Sequence, residues 1–310
     1  MQNRIVNVSS YRNYQKLDQI NRRALREPAA FAEECECAVD ALLEKTAEYI
    51  LYSGSRIVML AGPSGSGKTT VSRRLAEVLA KKGCQAHSVE MDNYFVTLDR
   101  ADHSIDWEAP DRLDRSLIVS HIEALSRGEE VLLPRFDFST GIQHPAQTPL
   151  RLGRGEIAVF EGIHALNNGI MDAISEKTVP VYISARLRVR DETHVIFHPE
   201  WMRFLRRGLR DEKFRNTALS ETLLRWGDVK RGEKTYIIPS KRRAAIMLDT
   251  ALDYEMNVLA PLLLEDVKAQ DAELLSRVRM TRIAEAMERF TPISPDLVPE
   301  RSILREFLGK

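Results

Sequence analysis

Apolar positions along the chain alternate between two periods. From Cys35 to Leu51, Val39, Leu42, Leu43, Ala47 and Ile50 recur at helical spacing, after a polar, weakly patterned stretch over residues 1–34. Ile57-Val58-Met59-Leu60-Ala61 is short, continuous and followed by glycine, as a strand covered on both faces reads. Helical period returns over residues 67–82, with Val71, Leu75, Val78 and Leu79 on one side and Gly83 placed to close the helix. A strand is expected near Ala86–Met91. A helix is expected through Leu113, Leu117, Ile118, Ile122 and Leu125, stopping near Gly128. Val131-Leu132-Leu133 reads as a strand cut off by Pro134, which has no amide hydrogen for a ladder. Residues 157–160, 179–184 and 244–248 read as further strands, and 269–290 as a helix. The last segment, from Thr291, has three prolines and reads as loop plus a short terminal helix.

Strands alternating with helices predict an α/β fold, a parallel sheet covered by helices on both faces. The expected organisation is a nucleotide-binding domain over residues 55–260, with helical extensions over 1–54 and 261–310. At 310 residues the chain is long enough for a sizeable core.

Charge and cysteine content narrow the partners. Lys plus Arg and Asp plus Glu number 45 each, so no global field favours nucleic acid or an anionic membrane. Cys35, Cys37 and Cys84 make no disulfide framework, and Cys35 and Cys37 are too close for a Cys-x-x-Cys site. Reduced thiols and a cytoplasmic location are expected. No apolar run approaches the roughly 18 residues of a membrane span, and no apolar stretch follows Arg4, Arg12 and Lys16 as a secretory signal requires.

The chemistry begins at Gly62-Pro63-Ser64-Gly65-Ser66-Gly67-Lys68-Thr69, which fits G-x-x-x-x-G-K-[ST] at every fixed position. Glycines let consecutive amides turn towards phosphate oxygens, and the helix that follows presents its positive end there. Lys68 is expected on the β- and γ-phosphates and the Thr69 hydroxyl on Mg²⁺. With Thr70, these residues are the expected ATP site, GTP being left open. The motif itself does not choose between GTPases, motors and kinases, but no Asn-Lys-x-Asp sequence for reading guanine is present.

Ligands of open parallel sheets sit at the carboxyl ends of the strands. Asp92 and Glu161 follow two expected strands and are candidates for orienting an attacking hydroxyl and for holding a metal's hydration shell, or for capping the next element. In Asp106-Trp107-Glu108-Ala109-Pro110-Asp111, Asp111 reads as the N-cap of the next helix. Arg203, Arg207 and Arg210 share one helical face, with Arg206 and Arg215 beside them. They suit a mobile lid over phosphates near residues 200–216, a solvated face paired with Asp211 and Glu212, or nucleic acid. His103, His144, His164, His194 and His198 have no metal-ligand spacing. Phe136 and Phe138 suit a base-stacking pocket or the core.

Together these segments resemble the uridine kinase and phosphoribulokinase family. The matches run in family order: Gly62–Thr70, Met91–Phe95, Trp107–Asp114, Pro134–Phe138, Phe160-Glu161-Gly162-Ile163 and Arg206-Arg207-Gly208-Leu209-Arg210-Asp211, spanning about residues 56–250. The tail Val298–Gly309 resembles that of a bacterial branch of nucleoside kinases, whose extra N-terminal domains this chain is expected to lack. The resemblance implies transfer of the γ-phosphoryl group of ATP to a nucleoside 5′-hydroxyl, most readily uridine or cytidine. It makes Asp92 the base, Glu161 the carboxylate near Mg²⁺, and Glu108 and Arg207 nucleoside ligands. Arg210 and Arg215 become lid arginines on ATP phosphates. Two departures stand out. A tyrosine of uridine kinases is Phe136 here, and the histidine that reads the pyrimidine has its nearest counterpart in His144, several residues late. A missing hydrogen bond changes discrimination by orders of magnitude. The alternatives are a kinase for another hydroxyl, such as a sugar phosphate or vitamin precursor, and a nucleotide-binding regulator without chemistry. Homo-oligomerisation is left open.

Overall fold

Short apolar runs leave their backbone amides and carbonyls to be satisfied by neighbouring strands, and here most of them gather into one six-stranded sheet. A computed structural model describes residues 6–7, 14–97, 105–138 and 140–309. In chain order the elements begin with β1 (Val6–Asn7), β2 (Gln15–Lys16), α1 (Leu17–Arg26), α2 (Pro28–Ser53), β3 (Ile57–Ala61), α3 (Lys68–Lys81) and β4 (Ala86–Glu90). Next are α4 (Arg115–Arg127), β5 (Val131–Asp137), β6 (Ile142–Leu150), β7 (Ile157–Glu161), α5 (Asn168–Met171) and β8 (Thr178–Ser184). Then come β9 (Val189–Arg190), β10 (Val195–Phe197), α6 (Pro199–Arg215), α7 (Leu219–Gly232) and β11 (Ile246–Asp249). The last are α8 (Glu255–Lys268), α9 (Ala272–Arg277), α10 (Ile283–Met287) and α11 (Arg305–Leu308).

Six strands form a wholly parallel sheet in the order β1-β11-β8-β3-β7-β4. Every residue of β3 and β7 is buried, as the apolar runs Ile57–Ala61 and Ile157–Phe160 require, with Glu161 enclosed at the end of β7. Alternation along β3 divides the core. Val58 and Leu60 face a cluster containing α2, α3, α6 and α8, whereas Ile57, Met59 and Ala61 face one built with Ile118, Ile122 and Leu125 of α4. The first cluster runs from Leu17 of α1 to Phe307 of α11, so both terminal regions share the core of the sheet. Arg74 of α3 ties α2 to the nucleotide-loop helix by donating to Glu36 Oε2 at 2.9 Å and Asp40 Oδ1 at 2.6 Å.

Four local expectations are corrected. β5 runs through Pro134 and pairs with β6 in a separate antiparallel ribbon, because a register irregularity between Leu133 and Arg135 absorbs the missing amide. Asp114, not Asp111, caps α4, accepting from the Leu117 amide at 2.9 Å; Asp111 lies in a short 3₁₀ turn. The helical pattern of 269–290 is split into α9 and α10 where Arg279 takes a left-handed φ of 63°. Finally, the N-terminal stretch, expected to be a helical extension, also supplies a strand: Val6–Asn7 pairs with β11 at the sheet edge.

Candidate active site

Residues 62–67 join β3 to α3 in a tight loop. Gly65 and Gly67 adopt φ of 73° and 80°, left-handed values that side chains disfavour. A Cβ on Gly67 would fall 2.5 Å from the Ile303 side chain, and one on Gly62 2.5 Å from the Ile183 carbonyl oxygen. The loop is braced from outside. Thr250 Oγ1 donates to the Ser66 carbonyl at 2.7 Å, Arg203 Nη1 to the Ser64 carbonyl at 3.1 Å and Arg206 Nη1 to the Gly65 carbonyl at 3.1 Å. These contacts use carbonyls, so the amides keep the turn that suits an anion. Lys68 Nζ reaches back to the Pro63 carbonyl at 3.4 Å.

Two carboxylates meet this loop because β7 pairs with β3, β4 pairs with β7, and the strands end at the same level. Glu90 is in register with Glu161, and Asp92 follows in a 3₁₀ turn. Glu161 Oε1 accepts from the Thr69 hydroxyl at 2.8 Å. Burial raises the Glu161 carboxyl to about 7; the Lys68 charge opposes this and the Asp92 charge adds to it. Lys68, Thr69, Asp92 and Glu161 thus occupy one electrostatic neighbourhood. The set fits a hydrated divalent cation: a threonine hydroxyl beside a carboxylate supplies oxygen donors and negative charge.

The region beside the two carboxylates is built from residues far apart in the chain. Glu108 is mostly buried, and burial raises its carboxyl to about 7 against the pull of Arg207, 3.7 Å away. Its Oε2 is buried without a hydrogen-bond partner among the described residues. The Phe136 amide donates to Asn93 Oδ1 at 3.2 Å, tying the ribbon to the Asp92 turn, and its ring packs on Phe95 and Phe138. Phe136 is buried, Phe138 half exposed. His144 lies elsewhere. It is exposed, pairs across the ribbon with Arg135, and by strand alternation faces away from the Phe136 side. His103 lies outside the described residues. His164 is buried edge-on to Tyr236, its pKa pushed down to about 4 by burial.

The arginine helix α6 divides its side chains. Arg203 pairs with Glu233, and Arg206, fully buried, with Glu255; both brace the loop as well. Arg207, Arg210 and Arg215 gather round Asp211, with closest contacts of 3.2, 3.0 and 3.4 Å. Arg207 Nη1 also donates to Ser64 Oγ at 3.1 Å. Sequence reasoning did not find the bracing roles of Arg203, Arg206 and Thr250, whose partners lie 30 to 184 residues away. Nor did it find Glu306, whose Oε2 accepts from the Thr70 amide at 3.2 Å and the Thr70 hydroxyl at 2.8 Å. The one available signal was the tail's likeness to a family branch.

Comparison with known proteins agrees with this geometry. The model of the Phosphoribulokinase / Uridine kinase family matches residues 57–255. The chain is similar to the uridine kinase of Halobacterium salinarum, at 28% identity over 222 residues, covering 69% of this chain and 88% of that protein. It is also similar to the uridine kinase of Deinococcus deserti, at 29% identity over 202 residues, covering 62% and 86%.

Proposed function

This chain belongs to the Phosphoribulokinase / Uridine kinase family and is an ATP-dependent kinase, and from that premise we propose that it phosphorylates the 5′-hydroxyl of a nucleoside, uridine or cytidine first. The loop amides of Gly62–Gly67, with Pro63, Ser64 and Ser66 shaping the turn, hold the phosphates together with Lys68 and Thr70. Thr69 and Glu161 would hold the Mg²⁺ that accompanies the nucleotide, which when bound would supply positive charge against the phosphates. Asp92 accepts the proton of the attacking hydroxyl as its oxygen bonds to the γ-phosphorus. The bond to the β-phosphate oxygen breaks and ADP leaves. Arg210 and Arg215 neutralise charge on the transferring group, Glu108 and Arg207 hold the ribose hydroxyls, and Phe136 stacks on the base. No role is proposed for His144.

The observation that carries this reading is the Thr69–Glu161 hydrogen bond in the same electrostatic neighbourhood as Lys68 and Asp92. A GTPase or a passive binder does not need a second carboxylate poised for a hydroxyl proton. The test is ADP release with ATP and Mg²⁺ across nucleosides, sugars and sugar phosphates. Turnover with uridine or cytidine supports the nucleoside; absence of turnover with every acceptor overturns the kinase assignment. Asp92→Asn should lower kcat by about 10²–10⁴ and leave nucleotide affinity near wild type. A wild-type kcat would remove Asp92 from the proton transfer.

A second reading keeps the chemistry and changes the acceptor. It is favoured by Phe136, which has no hydroxyl, and by His144, which faces away from it. Turnover confined to a sugar phosphate or another small alcohol would select it.

A further inference from the structure

The tail has no part in the chemistry above, yet it is packed onto the nucleotide loop. Ile303 fills the space beside Gly67 that a Cβ would need. The Phe307 ring lies 5.3 Å from the Arg206 guanidinium, which itself braces the Gly65 carbonyl. The Ser302 hydroxyl meets the Tyr254 hydroxyl at 3.1 Å, and Lys213 Nζ of α6 donates to the Leu308 carbonyl at 2.7 Å. These contacts bring Glu306 to the first turn of α3, where its carboxylate takes both the amide and the hydroxyl of Thr70.

Those two donors sit at the positive end of a 14-residue helix, directly after Lys68 and Thr69. A helix end of this kind binds anions, and the loop before it is shaped for phosphate. Here the anion is a side chain of the same protein. A carboxylate and a nucleotide phosphate cannot both accept from the Thr70 amide and hydroxyl, and their like charges repel at that distance.

We propose that segment Val298–Gly309 is a built-in latch on the nucleotide site, with Glu306 competing with a phosphate of the incoming nucleotide for the Thr70 amide and hydroxyl. The proposal rests on the reading of residues 62–70 as a nucleotide site. Nucleotide binding then releases Glu306 and loosens the tail's grip on α3, while Ile303 and Phe307 keep the segment docked. Entry of ATP is thereby coupled to a rearrangement that also touches α6 through Arg206 and Lys213, the helix that carries Arg207 and Arg210.

The test is calorimetric titration of the full chain with the non-hydrolysable analogue AMP-PNP and Mg²⁺, without acceptor. Glu306→Gln keeps size and an oxygen for the Thr70 amide but removes the charge. It should bind the nucleotide roughly tenfold more tightly than wild type, the factor that loss of one charge-assisted hydrogen bond from the competing state yields. Glu306→Ala should also bind more tightly, despite a lower Tm from the lost cap. Hydrogen exchange should show faster exchange at residues 303–308 once nucleotide is bound to wild type. Equal or weaker binding by both variants, each folded by circular dichroism, overturns the latch and leaves Glu306 as a helix cap. Lys68→Ala separates the two readings. If wild type binds and Lys68→Ala does not, the nucleotide site stands and only the latch is judged by the Glu306 variants. If wild type and Lys68→Ala bind alike, or if neither wild type nor the Glu306 variants bind, the site reading falls and the latch with it.

Discussion

The two halves of α6 carry the same residue type to opposite ends. In the first half, Arg203 and Arg206 each have a carboxylate of their own, Glu233 and Glu255, and each donates a further bond to a loop carbonyl. In the second half, Arg207, Arg210 and Arg215 share Asp211, with Glu108 a more distant second partner for Arg207. The Arg215 guanidinium is pushed below its ordinary pKa by partial burial and then by the Arg210 charge beside it. One matched carboxylate per arginine makes a structural pair; three arginines to Asp211 and the more distant Glu108 leave positive charge for an anion. Burial follows the same division. Arg206 is fully enclosed, whereas half of the Arg215 side chain is exposed.

The largest effect should come from the second half. Replacing Arg210 and Arg215 together by alanine should lower kcat by about 10³ or more, as for arginines that neutralise a transferring phosphoryl group, with an almost unchanged Tm. A fall in Tm matching the loss of activity would erase the contrast. Arg206→Ala should do the reverse, destabilising the fold by about 3–5 kcal/mol in urea unfolding because it strands Glu255.

Glu161 offers an intermediate effect with a definite sign. Its ordinary value is 4.5 and burial raises it to about 7. Between these values the folded protein holds a proton that the unfolded chain has released, so stability falls as pH rises through that window. Glu161→Gln should remove up to roughly 3 kcal/mol of that fall, measured by unfolding at pH 5 and pH 8 in the nucleotide-free protein. Glu108, raised for the same reason, should supply a similar share that survives the Glu161 change. The smallest effect belongs to Arg215→Ala alone, which should change stability by no more than about 0.5 kcal/mol, as befits a half-exposed ion pair.

Much of the candidate site could be read from local pattern. The loop at 62–69 is contiguous, and its glycines, lysine and threonine act within one turn. Asp92 and Glu161 could be picked out as candidates because each falls at the end of an expected strand, and parallel strands bring such positions to one edge. Reading failed where a residue's role depends on a partner far along the chain. Pro134 looked like a strand end, but the paired strand accommodates it through an irregular register. Arg203 and Arg206 looked equivalent to Arg207 and Arg210, because nothing near them in sequence names Glu233 or Glu255 as their partners. His144 was close to the family position in sequence, but strand alternation turns it to the other side of the ribbon.

By itself, then, the sequence determined the alternation of strands and helices, the phosphate loop and the two carboxylates at the strand ends. Hydrophobic period, glycine conformation and strand-end geometry all act over a few residues. Only the tertiary structure decided which arginines brace the loop and which gather round Asp211, and that a tail carboxylate sits on Thr70. Those outcomes depend on which distant segments are packed together and on the competition of several cations or donors for each buried carboxylate, and neither is written in any local stretch of the chain.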